Sequence, residues 1–268
     1  MHQREAIFLI RKLLLVGGDR RALHLETLLK QDGYSVSTLG LHREDEKTAL
    51  PSQADALLFS YPFSVREGCV PTMTGLTVYP QDVLKQAAGN AVVLAGRGLE
   101  PVKGFVWKNY AESEDLEERN AEISAEAAVC EAMQRMDRSL MDAVVLVTGY
   151  GKFGRALAKR LKALGAEVWA AARREAQRKQ AASDGMNAVS IDEIRRILPG
   201  VHMVLNTVPA QIIGEEMLAA MQPGAWLMEL ASAPYGFDRK KAADHGLNIE
   251  AQRGHRRGVS RILPQVFP

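Results

Sequence analysis

Asp142 to Arg174 reads DAVVLVTGYGKFGRALAKRLKALGAEVWAAARR, and this stretch decides the fold. The apolar run over residues 143–147 is typical of a parallel strand that is buried on both faces. The pattern G-x-G-x-x-G follows over residues 149–154, and after it come a helical pattern and a second strand over residues 167–172. The glycine pattern alone is a weak signal, but with both strands and the helix it forms a dinucleotide-binding fingerprint.

Each glycine has a physical role in this fingerprint. Gly149 makes the tight turn, Gly151 lets the backbone approach a pyrophosphate, and Gly154 lets the helix pack close to the strand. The helix N-terminus supplies amide donors and a partial positive charge for phosphates. The predicted cofactor contacts are therefore the whole turn, Gly149, Tyr150, Gly151, Lys152, Phe153 and Gly154. The alternative is a glycine-rich turn in a βαβ unit that binds nothing.

The end of the second strand indicates which dinucleotide is bound. An NAD site usually has Asp or Glu there, which accepts hydrogen bonds from the ribose 2′-OH. Here Arg173 and Arg174 follow two alanines, and the first acid is Glu175. Because guanidinium groups pair bidentately with phosphate, the sequence predicts NADP(H) rather than NAD(H). The alternative is that both arginines are solvated residues at a strand end.

The composition excludes several classes of protein. The chain has 268 residues, 47% hydrophobic and 25% charged, which is ordinary for a soluble globular protein. A formal net charge of +2 does not indicate nucleic-acid binding. Two cysteines without C-x-x-C spacing, and no clustered histidines, indicate a reducing compartment and no metal site. Neither a membrane span nor a signal peptide is predicted, so the expected location is the cytoplasm.

Strands alternate with helices along the whole chain, which favours βαβ units and parallel sheets. Strands are predicted over residues 12–16, 34–39, 54–59, 91–95, 143–147, 167–172, 202–205, 226–230 and 247–250. Helices are predicted over residues 23–31, 81–88, 115–140, 214–221 and 238–245. The predicted fold is therefore α/β, with two Rossmann-like doubly wound parallel-sheet domains joined by a long helix. The domains are residues 1–118 and 119–250, followed by a basic tail over residues 251–268.

Ligands of doubly wound sheets bind outside the carboxyl ends of the strands, so the strand ends carry the chemistry. These ends read GGDRR, SYP, GRG, GYGKFG, ARR, NTVP and ELASAPYG. Small residues there let a flat nicotinamide approach the backbone. Further cofactor contacts are therefore predicted at Thr207, Val208, Pro209 and Ala231.

These strand ends resemble those of a known family, the A subunits of dipicolinate synthase, over most of residues 11–250. The opening VGGDRRALHLETLLKQDGYSVSTLG, the fingerprint, NTVP and LASAPYG carry the resemblance. The segment NAEISAE over residues 120–126 is similar to the family's Asn-x-x-Pro-Thr-x-Glu-Gly segment, with Ile123 at the proline and Ser124 at the threonine. Tyr235 stands where the family usually has the first glycine of Pro-Gly-Gly.

The resemblance implies an NADP-dependent oxidation of a dihydrodipicolinate-type precursor to the aromatic diacid during sporulation. It implies a flavoprotein-like partner, the B subunit of dipicolinate synthase, and a homo-oligomer is also expected. The catalytic residues expected from it are Asn120, Ser124 and, if it were buried, Glu126 as a general base. Donors for the two substrate carboxylates are expected among Arg20, Arg21, Arg97, Asn120 and Ser124. The expected active cleft lies between the domains, lined by Asn120, Ser124, Thr207, Pro209 and Ala231.

Two other classes of function stay open. A 2-hydroxyacid or alanine dehydrogenase relative would share the two-domain plan but would need a catalytic histidine or an Arg-Glu-His set. His24, His42, His202 and His245 have no recognisable partner in the sequence and are interpreted as structural or exposed. A non-catalytic NADP-binding module is the other alternative.

The last residues, 251–268, differ in composition from the rest of the chain, with four arginines and no acid. They form either a functional basic arm or a truncated or frame-shifted end, and the second interpretation is favoured because the family's pattern is lost abruptly. We therefore expect this segment to be poorly ordered.

Overall fold

The computed structural model describes residues 10–46, 53–59, 68–96 and 99–251. The chain divides into two compact units, with the boundary between Glu117 and Glu118. Each unit is built on one sheet whose strand pairs are parallel. The predicted α/β class with two parallel-sheet domains is confirmed. The predicted basic tail from residue 252 onward lies outside the described residues, as does Arg97.

The first unit has five strands among its described residues, in the order β2-β1-β3-β4-β5. Its elements are β1 (Lys12–Val16), α1 (Arg20–Gln31), β2 (Ser35–Leu39), β3 (Ala54–Phe59), α2 (Pro80–Leu84), β4 (Ala87–Ala95) and β5 (Val106–Asn109). Short 3-10 helices span Arg43–Glu46 and Tyr110–Glu112. The strand order reverses between β1 and β3, so the switch point of this sheet lies there.

The segment after residue 68 packs against the end of β1. A Cβ on Gly17, whose φ is +62°, would lie 2.5 Å from the carbonyl oxygen of Pro71 and 2.5 Å from a methyl of Val70. The amide of Gly18 donates to the same carbonyl at 2.8 Å. The close approach of this segment therefore requires glycine at position 17, and the φ of +113° favours glycine at position 18.

A long helix, α3 (Glu114–Arg135), begins in the first unit and continues in the second. Ser113 Oγ accepts from the amide of Leu116 at 3.3 Å, and acids in the first turn favour the helix dipole. Its buried face is alanine-rich: Ala125, Ala128 and Ala132 are fully buried among core residues of the second unit. The predicted long helix is confirmed, although it ends at Arg135 rather than at Leu140.

The second unit has six strands among its described residues, in the order β11-β10-β9-β6-β7-β8. Its strands are β6 (Val144–Thr148), β7 (Glu167–Ala171), β8 (Asn187–Val189), β9 (Met203–Asn206), β10 (Trp226–Glu229) and β11 (Asn248–Ala251). Its further helices are α4 (Lys152–Ala163), α5 (Glu175–Ser183), α6 (Glu215–Leu218) and α7 (Arg239–Asp244), with 3-10 helices at Leu140–Asp142, Ile191–Arg196 and Leu198–Gly200.

The second sheet is covered on both faces, which explains why its central strands are apolar throughout. Val145 and Val147 of β6 belong to one core cluster with α3 and α4, whereas Leu146 belongs to another with α6 and α7. The strand order reverses between β6 and β9. The carboxyl ends of these two strands therefore define the switch point at which a ligand is expected.

Several elements lack a clear sequence signal and were not predicted. The helix α5 reads EAQRKQAAS and has a polar composition, so it carries little apolar periodicity. The strands β5 and β8 are short, four and three residues, and each is an edge strand of its sheet. The first half of β4 is Ala-Ala-Gly-Asn, without the branched side chains that indicate a strand. Among the helices of the described residues, none has the length and apolarity that crossing a membrane requires.

Candidate functional site

The glycine-rich turn after β6 is fixed by two contacts that leave no room for a side chain. Gly149 has a φ of +87°, and a Cβ there would lie 2.6 Å from Thr207 Oγ1. A Cβ on Gly154 would lie 2.2 Å from the carbonyl oxygen of Gly149. Real Cβ atoms do not approach that closely, so both positions require glycine. The turn is thereby packed against the loop that follows β9 and against its own helix.

Gly151 is different, because the space beside it is open. It is the N-cap residue of α4, with a φ of −83°, and a Cβ there would have no heavy-atom neighbour within 4 Å among the described residues, apart from its two neighbours in the chain. No side chain of the described residues caps this end of the helix. A twelve-residue helix therefore begins beside open space at Gly151, and helix N-termini of this kind bind phosphate groups.

A cleft of about 650 Å³ lies at this end of the helix. Its volume is within the range of small-molecule and cofactor sites. It is lined by Gly149, Tyr150, Gly151, Lys152, Phe153, Gly154, Ala171, Ala172, Arg173, Arg174, Gln177, Ile191, Thr207, Val208, Pro209 and Ile212. The structure thus brings together the predicted cofactor contacts of the fingerprint, the arginine pair and the NTVP loop.

The arginine pair lies at the rim of this cleft. Arg173 and Arg174 are exposed, and within the described residues neither side chain is in an ion pair. The nearest acid in sequence, Glu175, is paired with Lys179 at 2.8 Å. Arg178 stabilises the backbone that carries the pair, because its Nη1 donates to the carbonyl oxygens of Ala172 at 2.9 Å and Arg173 at 2.6 Å. Two guanidinium groups are therefore available to an anion at the end of β7.

Tyr150 anchors the glycine-rich turn to the end of α5. Its hydroxyl donates to Asp184 at 2.9 Å, and Arg155 Nε donates to the same carboxylate at 2.8 Å. Burial, reinforced by the bond to Asp184, raises the pKa of the Tyr150 hydroxyl. The hydrogen bond from Arg155 is the main cause that lowers the pKa of Asp184 to about 2. Gln177, which was not predicted as a site residue, donates from Nε2 to the Tyr150 carbonyl at 3.2 Å.

The other predicted site residues do not line this cleft. Asn120 and Ser124 lie one turn apart on α3; Ser124 is buried, and Oδ1 of Asn120 is buried without a hydrogen-bond partner among the described residues. Glu126 is exposed, so the burial on which a general-base role depended is not found. The amide of Ala231 donates to Glu229 at 3.1 Å.

In the first unit, the two arginines predicted to bind a dianion differ in their surroundings. Arg21 forms a bidentate pair with the N-cap residue Asp19, with Nε to Oδ1 at 2.9 Å and Nη2 to Oδ2 at 2.7 Å. Arg20 is exposed. The charge of Arg21 is thus already matched by a carboxylate.

The described histidines of the second unit lie away from the carboxyl ends of the strands. His202 accepts from the amide of Val144, the first residue of β6, at 2.9 Å, so it lies at the amino edge of the sheet. Burial, followed by nearby Arg138, lowers the pKa of His202. His245 is the C-cap residue of α7. Among the described residues, His, Cys, Asp and Glu side chains form no cluster suited to a metal ion.

Three polar side chains end adjacent strands of the second sheet, and none of them was predicted as a site residue. They are Thr148 of β6, Asn206 of β9 and Glu229 of β10, each at most 2% exposed. A polar residue that directly follows three or more apolar strand residues is the signal that could have identified them.

Serine substitutions at Gly154 and Gly151 should distinguish a glycine that tight packing requires from one that borders the open cleft. Gly154→Ser should lower the free energy of unfolding by about 1–3 kcal/mol, because its Cβ meets backbone atoms of Gly149. Gly151→Ser should change it by less than about 0.5 kcal/mol, since serine is a favoured N-cap residue and the space is open. Urea unfolding measures both, and equal losses in the two variants would contradict this account of the turn.

The Asp184 cluster should make stability depend on pH in the acid range. Because the folded-state pKa, about 2, lies below the ordinary 3.8, the stabilisation is present above pH 4 and is lost as pH falls toward 2. Asp184→Asn should therefore be less stable than the wild type at neutral pH and should lose less stability between pH 4 and pH 2. Asp192→Asn, at an exposed position, is the control and should keep the wild-type loss. Parallel pH profiles for wild type and Asp184→Asn would refute the assignment.

Two family models match the chain. Residues 12–116 match the N-terminal domain of the dipicolinate synthase A subunit. Residues 110–235 match the NAD binding domain of D-isomer specific 2-hydroxyacid dehydrogenases. The second match spans the fingerprint, the arginine pair and the NTVP loop, which are the parts of the sequence that form the cleft.

Individual relatives extend over nearly the whole chain. The dipicolinate synthase A subunit of Bacillus subtilis (strain 168) is 25% identical over 254 residues, which is 88% of this chain and 86% of that protein. The crystal structure of the A subunit from Bacillus halodurans has a TM-score of 0.79 at 24% identity and covers 96% of both chains. That of the Bacillus subtilis protein has a TM-score of 0.79 at 24% identity, covering 96% of this chain and 94% of that one. The resemblance carried by the motifs is confirmed: the chain is similar to the dipicolinate synthase A subunits over most of its length, and its two parts match an N-terminal domain of that type and a dehydrogenase NAD binding domain.

Proposed function

We propose that this chain is the A subunit of a dipicolinate synthase, which oxidises a dihydrodipicolinate-type precursor with NADP+ bound in the cleft of the second domain. The observation that carries the proposal is the pairing of an open helix N-terminus at Gly151 with two exposed arginines at the end of β7. These are the two anion sites that a dinucleotide with a 2′-phosphate requires. The match to an NAD-binding domain supports the cofactor class.

The residues present fit such a cofactor. The amides at the start of α4 would hold the pyrophosphate, and the open space beside Gly151 lets the phosphates approach the backbone. Arg173 and Arg174 would hold the 2′-phosphate by charge-assisted hydrogen bonds. Thr207 to Pro209 lie on the other side of the switch point, so they would contact the nicotinamide half.

Bound NADP+ supplies the hydride acceptor for this oxidation. The precursor ring gives up a hydride and a proton and becomes aromatic, so the substrate itself provides driving force. The chain needs to hold two carboxylates and to align the ring. Asn120 is the candidate for ring contact, because a buried acceptor without a partner among the described residues calls for a ligand or water. Ser124, four residues along the helix and hence on nearly the same face, would assist it.

The same proposal includes a partner subunit, an oligomeric state and a location in the cell. The relatives are named as A subunits of dipicolinate synthase, which supports the B subunit of that enzyme as the partner of this chain. We further propose a homo-oligomer that acts in the cytoplasm of a sporulating cell. Glu126 is not part of the proposed chemistry, because two residues along a helix from Ser124 it points to nearly the opposite side and is exposed.

The arginine pair should determine the choice of cofactor. The double substitution Arg173→Ala/Arg174→Ala should weaken NADPH binding by about 3 kcal/mol, since charge-assisted bonds contribute about 1.5–3 kcal/mol each, and should barely change NADH binding. Arg195→Ala removes an exposed arginine that does not line the cleft, and it should leave both affinities unchanged. Fluorescence titration measures the affinities, and a wild type that binds NADH as tightly as NADPH would refute the NADP assignment.

The reaction is tested by incubating the chain with precursor and NADP+, with and without the B subunit, and following absorbance from NADPH. We expect NADPH formation that requires precursor, and little NADPH from 2-hydroxyacids, because the described histidines of the second domain lie away from the cleft. Tight NADPH binding without turnover under all these conditions would favour a non-catalytic binding module. Turnover of 2-hydroxyacids instead would favour the dehydrogenase alternative.

A further inference from the structure

The polar side chains at the ends of β6, β9 and β10 form one row across the second sheet. Thr148 is aligned with Asn206, and Asn206 with Glu229, in the register of the parallel strands. Thr148 Oγ1 donates to Asn206 Oδ1 at 2.6 Å, and Asn206 Nδ2 donates to Glu229 Oε1 at 2.7 Å. We call Thr148, Asn206 and Glu229 the polar row.

Two members of the polar row also hold loop backbone. Asn206 donates from Nδ2 to the carbonyl of Val208 at 2.9 Å. Glu229 accepts from the amide of Ala231 at 3.1 Å through Oε1 and from that of Gly236 at 2.8 Å through Oε2. One carboxylate thus fixes both ends of the loop over residues 231–236. Gly236 packs so tightly here that a Cβ would lie 2.3 Å from Asn206 Nδ2.

The row connects this loop to the phosphate end of the cleft. Thr207 Oγ1 donates to the carbonyl of Thr148 at 2.6 Å and fills the place where a side chain on Gly149 would be. A dinucleotide held by Arg173 and the turn at Gly149 runs across the switch point, so its nicotinamide half comes to the ends of β9 and β10. The loop fixed by Glu229 therefore lies on the nicotinamide side.

We propose that Glu229 is a positioning residue, which acts through Asn206 and the loop over residues 231–236 to set the place of the nicotinamide ring relative to the pyrophosphate. The inference rests on the proposed cofactor function. Glu229 suits this role because a carboxylate only accepts hydrogen bonds, and all three groups that face it here, among the described residues, are donors. If glutamine replaced Glu229, its side-chain NH2 group would face one of these three donors and could not accept a hydrogen bond from it.

The test compares a ligand that reaches the loop with one that does not. NADPH carries the nicotinamide ring, whereas 2′,5′-ADP carries only the adenosine half that Arg173 and Arg174 would hold. For Glu229→Gln we expect NADPH affinity to fall about tenfold, because a buried donor loses its acceptor, while 2′,5′-ADP affinity changes less than about twofold. The emission of the bound dihydronicotinamide should also shift, since it reports the surroundings of the ring. Glu216→Gln, at an exposed position on α6, is the control and should match the wild type in both affinities.

A rescue experiment separates positioning from a general loss of stability. Asn206→Asp alone places a carboxylate against Glu229 and against the carbonyl of Val208. Asn206→Asp/Glu229→Gln restores a donor and an acceptor across the 2.7 Å contact, whereas the carbonyl of Val208 and the amide of Ala231 stay mismatched, so it should bind NADPH more tightly than Asn206→Asp and less tightly than the wild type. All titrations are made at a temperature where thermal unfolding shows each variant to be folded. If Glu229→Gln is unfolded at every temperature, the double variant and Asn206→Asp provide the comparison.

The outcomes are distinct. Equal losses for NADPH and 2′,5′-ADP would mean that Glu229 only stabilises the domain, and this would overturn the inference. Unchanged binding and emission in Glu229→Gln would also overturn it. A wild type that binds neither ligand would refute the proposed cofactor function itself, and the positioning role with it.

Discussion

The contact between Gly149 and Thr207 is the constraint on which the second domain depends. It joins the ends of β6 and β9, the two strands between which the order of the sheet reverses. The space beside the Cα of Gly149 holds a hydrogen atom but not the Cβ that any other residue would carry. Because this contact fixes the glycine-rich turn, α4 begins beside the open space at its N-cap residue, Gly151. The first domain uses a similar device, since Gly17 at the end of β1 packs against the backbone of Pro71.

Most of the fold could be predicted from the sequence because its signals are local. The valine-rich strand, the glycine pattern and the next strand occupy about thirty consecutive residues, so Gly149, Gly154 and Arg173 could be placed from their spacing alone. The helix α5 could not, because its polar sequence matches no periodic pattern and its position depends on contacts such as that of its own Arg178 with the carbonyl of Ala172.

The candidate site was predictable in its glycine turn and arginine pair but not in the interactions that support them. Tyr150 and its partner Asp184 are 34 residues apart, and Asn206 and Glu229 are 23 apart. Such pairs are created by the sheet order, which no local pattern reveals. The exposure of Glu126 could not be predicted for the same reason. The alanine face of α3 packs against core residues of the second unit, and this packing determines which side of the helix is exposed.

The polar row also bears on how the second sheet finds its alignment during folding. The strands VVLVT, MVLN and WLME are apolar along most of their length, and side chains of that kind pack almost equally well after a shift of two residues. A shift would leave Thr148, Asn206 and Glu229 opposite hydrocarbon, with buried donors and acceptors unpaired, at a free-energy cost of about 1–3 kcal/mol for each group. The three polar residues thus discriminate against misaligned sheets that the apolar residues alone would tolerate. The strands of a parallel sheet meet only after long intervening segments have been ordered. The polar row therefore reduces the number of compact, misaligned states that compete with the native state.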